Sequence, residues 1–327
     1  MPFEVFFGLE RIKTDPAGVL TVGAFDGLHL GHRAILEEVK REAKQRGGRT
    51  ATVTFEPHPQ LVLKKSGLPA IQILTTIEEK IARFEELGVD RLIVIPFTLA
   101  FAQTPSEVFV REILYHRLGM QAMVIGHDHG FGKNREGDVA TLTRLGEELG
   151  FAVHELPPWE IEGAVMSSSR IRQALLQGQV EKSGAWLGHP YALSGRITRG
   201  EERGRAIGFP TLNLTPLHPH KLIPAQGVYA VRARLPEGEF GGMMNIGRRP
   251  TFDGGSCSLE VHVFDFARQA YDEICEVKFI ARLREERKFD SVEALQAQLQ
   301  HDKSASLHAL SGNVVQKQNS NRGSSCL

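Results

Sequence analysis

The stretch Thr21-Val22-Gly23-Ala24-Phe25-Asp26-Gly27-Leu28-His29-Leu30-Gly31-His32 limits the fold of this chain more than any other. Its apolar start reads as a short strand, its glycines as a tight turn, and the residues from His29 onward as the opening of a helix. Gly23, Gly27 and Gly31 let backbone N–H groups come close to a ligand, and the helix start offers the positive end of its dipole. His29 and His32 stand three residues apart, so in the first helical turn they share a face and both reach one phosphate. A lone histidine on an apolar face is ordinarily structural. Two inside a glycine-rich strand-to-helix turn point to a phosphate-handling site.

Around this turn the first half alternates two textures. Val19 to Val22, Thr50 to Phe55, Leu92 to Ile95, Ala122 to Ile125 and Phe151 to Leu156 are short runs rich in β-branched residues, whereas Ile35/Leu36/Val39/Ala43 and Ile77/Ile81/Phe84/Leu87 follow helical spacing. Strands alternating with helices predict a parallel, doubly wound α/β sheet, whose ligands bind beyond the carboxyl ends of the strands. Gly23 to Gly31, the turn Phe55-Glu56-Pro57-His58-Pro59 and Gly126 to Gly132 each follow a predicted strand and are expected to gather at that edge.

From about Trp186 the period changes to two. Tyr229/Val231/Ala233/Leu235 alternate with Arg232 and Arg234, and Leu259/Val261/Val263 alternate with Glu260 and His262, which predicts antiparallel strands with one wet face and a small β-barrel. Asp290 followed by Glu293 resembles a capping box for a closing helix from Val292 to about Leu310. The polar, aperiodic segment 311–327 is expected to be a disordered tail. At 327 residues the chain exceeds one ordinary core. The expected domains are residues 1–184 and 185–310.

Composition removes several classes of function. Lys plus Arg and Asp plus Glu both total 39, so no global basic field is available for nonspecific nucleic-acid binding. The apolar run Leu92 to Ala102 is too short for a bilayer and is broken by Pro96, so no membrane association is expected. The start Met1-Pro2-Phe3-Glu4 has no basic n-region or small-residue cleavage site, and a cytoplasmic protein is expected. Cys257, Cys275 and Cys326 are odd in number and widely spaced, which argues against a disulfide framework and a zinc site. His127 and His129 could suggest metal ligands, but the sequence places no third.

The string Gly-x-Phe-Asp-Gly-x-His-x-Gly-His resembles the signature of the HxGH nucleotidyltransferases in the variant of bacterial FAD synthetases. Residues from about Val19 to Leu310 resemble the bifunctional riboflavin kinase/FMN adenylyltransferase family in one continuous pass. By that resemblance the amino-terminal domain joins FMN to the α-phosphorus of ATP, giving FAD and pyrophosphate. Gly23, Phe25, Asp26 and Gly31 would then serve the nucleotide, and His29 and His32 the transferring group. The FMN phosphate is already largely ionised near neutrality, so the site needs alignment and charge stabilisation rather than a base. On its own His58 belongs to a rigid turn between two prolines. The resemblance makes His58 and Pro59 flavin-side residues, with Asp128 and Phe131 of Gly126-His127-Asp128-His129-Gly130-Phe131-Gly132. Ser167-Ser168-Ser169-Arg170-Ile171-Arg172 reads alone as a serine-capped helix start. By resemblance Ser168, Ser169 and Arg172 hold the triphosphate, with Ser169 standing where Thr is usual.

In the second half, Gly200-Glu201-Glu202-Arg203-Gly204-Arg205-Ala206-Ile207-Gly208-Phe209-Pro210-Thr211-Leu212-Asn213 resembles the riboflavin kinase signature, with Leu212 replacing the usual Ala. The resemblance implies that the loop with Gly204 and Gly208 covers ATP, and that Thr211 and Asn213 hold Mg²⁺. Asn245-Ile246-Gly247-Arg248-Arg249-Pro250-Thr251-Phe252 and Leu259-Glu260-Val261-His262 match further family elements. By periodicity alone Glu260 is a polar-face strand residue. By resemblance it is the base for the riboflavin 5′-hydroxyl, which, unlike a phosphate, benefits from one.

Overall fold

The computed structural model describes residues 2–63, 69–127, 130–133, 136–161, 163–200, 203–248 and 257–320. Its contacts divide the chain into two compact units, Met1–Ser168 and Ser169–Leu327.

In the first unit six parallel strands form one sheet: β1 (Glu4–Phe7), β2 (Gly18–Val22), β3 (Thr50–Glu56), β4 (Arg91–Pro96), β5 (Met120–Gly126) and β6 (Ala152–Leu156). Their order is β1-β4-β3-β2-β5-β6. Every residue of β2 is buried, as expected of a parallel strand covered on both faces. Helices α1 (Leu30–Arg46), α2 (Pro59–Val62), α3 (Ile77–Glu86), α4 (Ser106–Val108, continuing into a π-helical stretch Phe109–Arg117) and α5 (Val139–Leu149) fill the connections. One core joins Val53, Ile93 and Ile125 of the sheet to Phe109, Leu114, Leu142 and Leu145. A second joins Leu92 and Val94 to Leu36 and Phe84. A hairpin of β7 (Glu160–Ile161) and β8 (Ala164–Val165) follows.

All five strands expected in this half are present. Edge strand β1 escapes the sequence reading because it has four residues, is tied at Glu4 to Arg49 and Arg91, and buries little. Since β3, β2 and β5 are neighbours and parallel, the segments after Val22, Glu56 and Gly126 emerge side by side. This is the common edge that the sequence predicted.

The second unit opens with α6 (Ser168–Leu176) and α7 (Val180–Leu187), followed by a closed antiparallel barrel. Its strands are β9 (Ala192–Thr198), β10 (Leu212–Pro216), β11 (Gly227–Leu235), β12 (Gly238–Arg248), β13 (Cys257–Val263) and β14 (Ile274–Arg284), closing in the order β10-β13-β12-β11-β14-β9. A short helix α8 (Arg203–Ala206) lies between β9 and β10, and α9 (Val292–Ser320) follows the barrel. The two leading helices are bound to the barrel: Ala225 N–H donates to the Leu175 carbonyl (3.0 Å) and Arg282 N–H to the Glu181 carboxylate (2.8 Å). They therefore group with the second unit by contact.

Three local expectations are corrected. On β13 the wet face is wet only at Glu260, because His262 is buried beneath Phe209 and Phe264, 5.2 and 5.7 Å between ring centroids. The start of α9 is capped by Ser291, whose hydroxyl accepts from Ala294 N–H (3.1 Å), rather than by Asp290. The same helix runs to Ser320 and so takes in the first part of the segment expected to be disordered. No proline interrupts that stretch, and a nucleated helix extends at little cost. Residues 321–327 of that expectation lie outside the described residues.

Candidate active sites

At the carboxyl edge of β2 the chain turns through Phe25 (φ 47°), Gly27 (φ 87°) and Leu28 (φ 45°), a left-handed excursion costly for the two non-glycine residues. Tertiary contacts hold it. Asp26 is 2 % exposed, and its carboxylate accepts Leu74 N–H (2.9 and 3.0 Å), Thr75 N–H (2.9 Å) and the Thr75 hydroxyl (3.2 Å). Gly27 N–H donates to Thr75 Oγ1 (3.0 Å). Asp26, expected at the nucleotide, thus secures the turn to the segment that leads into α3. Phe25 is buried and packs edge-on against Phe84 (5.5 Å) and His32 (5.2 Å). A Cβ at Gly23 would stand 3.2 Å from the Phe25 ring, so this glycine admits the ring.

Beyond the turn, His29 caps α1: its Nδ1 accepts the His32 backbone N–H (3.4 Å), which leaves the neutral ring's proton on Nε2. The His29 and His32 rings stack 3.7 Å apart at 18°. Among the described residues the enclosed His32 Nδ1 has no hydrogen-bond partner. Burial first, then the charges of His29 and Lys80, hold the His32 imidazole well below the usual histidine range, so the ring is neutral near pH 7.

These histidines line an open cleft with Gly31, Gly126, His127, Trp159, Ser167 and Ser168. Within the first unit the Ser168 hydroxyl donates to the Asp26 carbonyl of the glycine turn (2.8 Å). Ser169 and Arg172 follow on α6 in the second unit. Trp159, half-exposed at the cleft, carries no motif that would have singled it out.

On the β3 side, His58 is buried and caps α2, its Nδ1 accepting Gln60 N–H (3.2 Å), while Pro59 starts that helix. Phe55, Phe97, Phe101, Phe109 and Phe131 form a continuous aromatic row with centroid spacings of 5.5, 5.8, 5.9 and 6.4 Å. Gly137 makes room for its last ring, because a Cβ there would stand 2.5 Å from the Phe131 ring. The row was not anticipated, since its members come from four separate segments. Asp128 and His129 lie outside the described residues. Among the described residues, Glu38, Glu42 and His154 bring possible metal-binding atoms within 4.8 Å, but Arg41 and Arg46 already pair with those carboxylates.

In the second unit, Asn213 of β10 and Asn245 of β12 both face Glu260 of β13 in register. Opposed residues project to the same side of a sheet, so three polar side chains share the barrel face away from buried Val261 and Ile246. The loop before β10 closes on this face. A Cβ at Gly200 would stand 2.0 Å from the Asn213 amide, and one at Gly204 would stand 2.2 Å from the Phe209 carbonyl. Gly208 turns the chain at φ 82°. The turn is anchored from beneath by His262 Nδ1–H donating to the Pro210 carbonyl (2.7 Å). Thr211 immediately precedes β10, and Asn213 stands opposite the Glu260 carboxylate; neutral oxygens beside a carboxylate are the donor chemistry of a hard divalent cation.

The chain was compared with known proteins. The family model described as FAD synthetase matches residues 11–170, and that described as riboflavin kinase matches residues 187–310. The bifunctional riboflavin kinase/FMN adenylyltransferase of Listeria monocytogenes is 38 % identical over 290 residues, covering 88 % of this chain and 91 % of the relative. That of Escherichia coli K12 is 38 % identical over 285 residues, covering 87 % and 90 %. A Streptococcus pneumoniae structure titled a macrolide-efflux protein superposes with a TM-score of 0.85 at 30 % identity, covering 92 % of this chain and 98 % of that one. Among the described residues here, no helix is long and apolar enough to cross a membrane.

Proposed function

The chain belongs to the bifunctional riboflavin kinase/FMN adenylyltransferase family, and from that premise we infer that it makes FAD in two steps, each in its own unit. The barrel unit phosphorylates riboflavin with ATP to FMN. The parallel-sheet unit adenylylates FMN with ATP to FAD and pyrophosphate.

For the second step we assign ATP to the cleft lined by His29, Gly31, His32 and Ser168, and the flavin to the side of His58, Pro59 and Phe131. The isoalloxazine ring is flat, and the half-buried Phe55, Phe97 and Phe101 at the open end of the row offer it an aromatic surface. The His29 Nε2–H and the amides at the start of α1 donate to the transferring phosphoryl group as its charge grows. The FMN phosphate supplies its own nucleophilic oxygen, so neutral histidines suffice.

For the first step we assign Glu260 as the base that accepts the proton of the riboflavin 5′-hydroxyl. Thr211 and Asn213 would hold Mg²⁺, which when bound would neutralise charge on the ATP phosphates and orient them. Gly204 and Gly208 let the loop lie against the nucleotide, and Asn245 faces the carboxylate from the other side. We keep the protein outside membranes and without nucleic-acid partners in this reading, in keeping with its balanced charge.

One observation carries the reading. Residues far apart in sequence converge into two polar sites, His29/His32/Ser168 around a cleft and Asn213/Asn245/Glu260 on one barrel face, and each unit holds one. The test is a time course with riboflavin, ATP and Mg²⁺, separating riboflavin, FMN and FAD. FMN preceding FAD is expected. Persistent flavin binding without either product would refute both activities and favour a sensor.

A further inference from the structure

The chain has two tryptophans, and they are placed oppositely. Trp186 is buried on α7, whereas Trp159 is 46 % exposed and lines the cleft of His29 and His32. A single exposed apolar residue is ordinary. This one is held in place from both sides. Pro157 and Pro158 restrict the backbone before it, and its carbonyl accepts Met166 N–H (2.9 Å) at the foot of the β7–β8 hairpin, where Glu160 pairs with Val165.

Its place over the first turn of α1 is fixed by geometry. A Cβ added to Gly31 would stand 3.2 Å from the His29 ring and 3.5 Å from the Trp159 Cβ. The imidazole and the root of the indole therefore flank Gly31. Besides the histidines, serines and glycines, the cleft lining is apolar, with Ile35, Leu156, Pro157 and Met166. Donors for phosphate thus stand beside apolar surface and one flat aromatic side chain. A nucleotide divides in the same way, into a charged end and a planar base that stacks.

The sheet order tells which flat ring falls on the indole. Strand β2 lies between β3 on one side and β5 and β6 on the other. Phe55 belongs to the end of β3 and Phe97 follows β4, so the open end of the phenylalanine row stands to one side of the histidine turn. Trp159, three residues beyond β6, stands to the other. FAD has two flat ring systems joined by a diphosphate. With the flavin against the phenylalanines and the phosphates at the histidines, the adenine lies on the side of Trp159.

We propose that Trp159 is a binding residue for the nucleotide base, its indole stacking on the adenine of ATP in the adenylyl-transfer site. The assignment rests on the function proposed above. It supplies a contact to the base, whereas His29, His32 and Ser168 serve the phosphates.

The test uses the full chain as wild type, W159L and W159F, following FMN-to-FAD conversion against ATP concentration, with riboflavin phosphorylation as the control for an intact protein. Leucine keeps apolar bulk without a flat face. In W159L the KM for ATP is expected to rise about tenfold or more, the effect of losing one base stack, with kcat within about threefold of wild type. W159F keeps a ring and should recover most of the loss. The KM for FMN, and inhibition by inorganic tripolyphosphate, which has no base, should stay unchanged. An unchanged KM for ATP in W159L overturns the proposal. So does a rise in the KM for FMN alone, which would give the indole to the flavin, or an equal weakening of tripolyphosphate, which would make its role structural. Should W159L fail to fold, indole fluorescence with ATP and no FMN decides. Quenching in wild type that is lost in W159F, which retains only Trp186, supports the stack, and absent or equal quenching overturns it. Failure of wild type to make FAD would refute the function instead, leaving the fluorescence pair to judge Trp159 by itself.

Discussion

Asn213 and Glu260 stand directly opposite one another on β10 and β13, so a candidate metal ligand and a candidate base leave the barrel on the same face. Removing the carboxylate while keeping its shape tests that pairing. Glu260→Gln should slow FMN formation by about 10²-fold or more, the usual range for a lost general base, and leave FMN-to-FAD conversion intact. Product separation after feeding riboflavin or FMN distinguishes the steps. Equal loss of both would remove Glu260 as the base or join the two sites into one.

His29 combines a cap with a donor, and two substitutions separate these. His29→Ala loses both, so FAD synthesis should fall about 10²-fold and stability by about 1 kcal/mol. His29→Asn retains a capping acceptor and should recover the stability but not the rate. Riboflavin phosphorylation should be unaffected in either. Rates and denaturant midpoints together decide, and an asparagine variant with normal FAD synthesis would take His29 out of the chemistry.

Gly200 and Gly204 meet different neighbours, and their alanine variants should differ accordingly. At Gly200 the added methyl would strike the Asn213 side chain, so G200A should raise the Mg²⁺ concentration needed for FMN formation. At Gly204 it would strike the Phe209 carbonyl, a backbone atom that cannot swing aside, so G204A should lower kcat at every Mg²⁺ concentration. A magnesium titration of riboflavin phosphorylation reads the difference, and identical curves for the two variants would refute it.

Acid should destabilise both units. Burial holds His32 and His262 below the ordinary histidine value of 6.5, so the unfolded chain binds protons more readily than the folded one as pH falls through it. Their contribution is fully present above that value and drains away below it. Thermal melts from about pH 8 to about pH 5.5 should show a falling midpoint. A midpoint that rises on acidification would contradict the assignment.

What was legible in sequence was local or periodic. The strand–glycine–helix turn at Gly23 to His32 is a run of neighbours whose spacing alone places both histidines in one helical turn. The β-branched runs announced β2 to β6, because a parallel strand buried on both faces must be apolar throughout. The alternation in β11 and β13 announced a sheet. It misjudged His262, since a period of two tells which side a residue faces and not what covers that side.

The sequence by itself determined the kinds of element, their order, and the motifs that tie the chain to its family. Only the tertiary structure decided what the motif residues do. It turned Asp26 inward onto Leu74 and Thr75, joined five phenylalanines into one row, and set Asn213 opposite Glu260. The reason is physical: spacing along a strand or helix fixes direction to within one element, whereas charge, burial and pairing depend on residues brought close by packing from elsewhere in the chain.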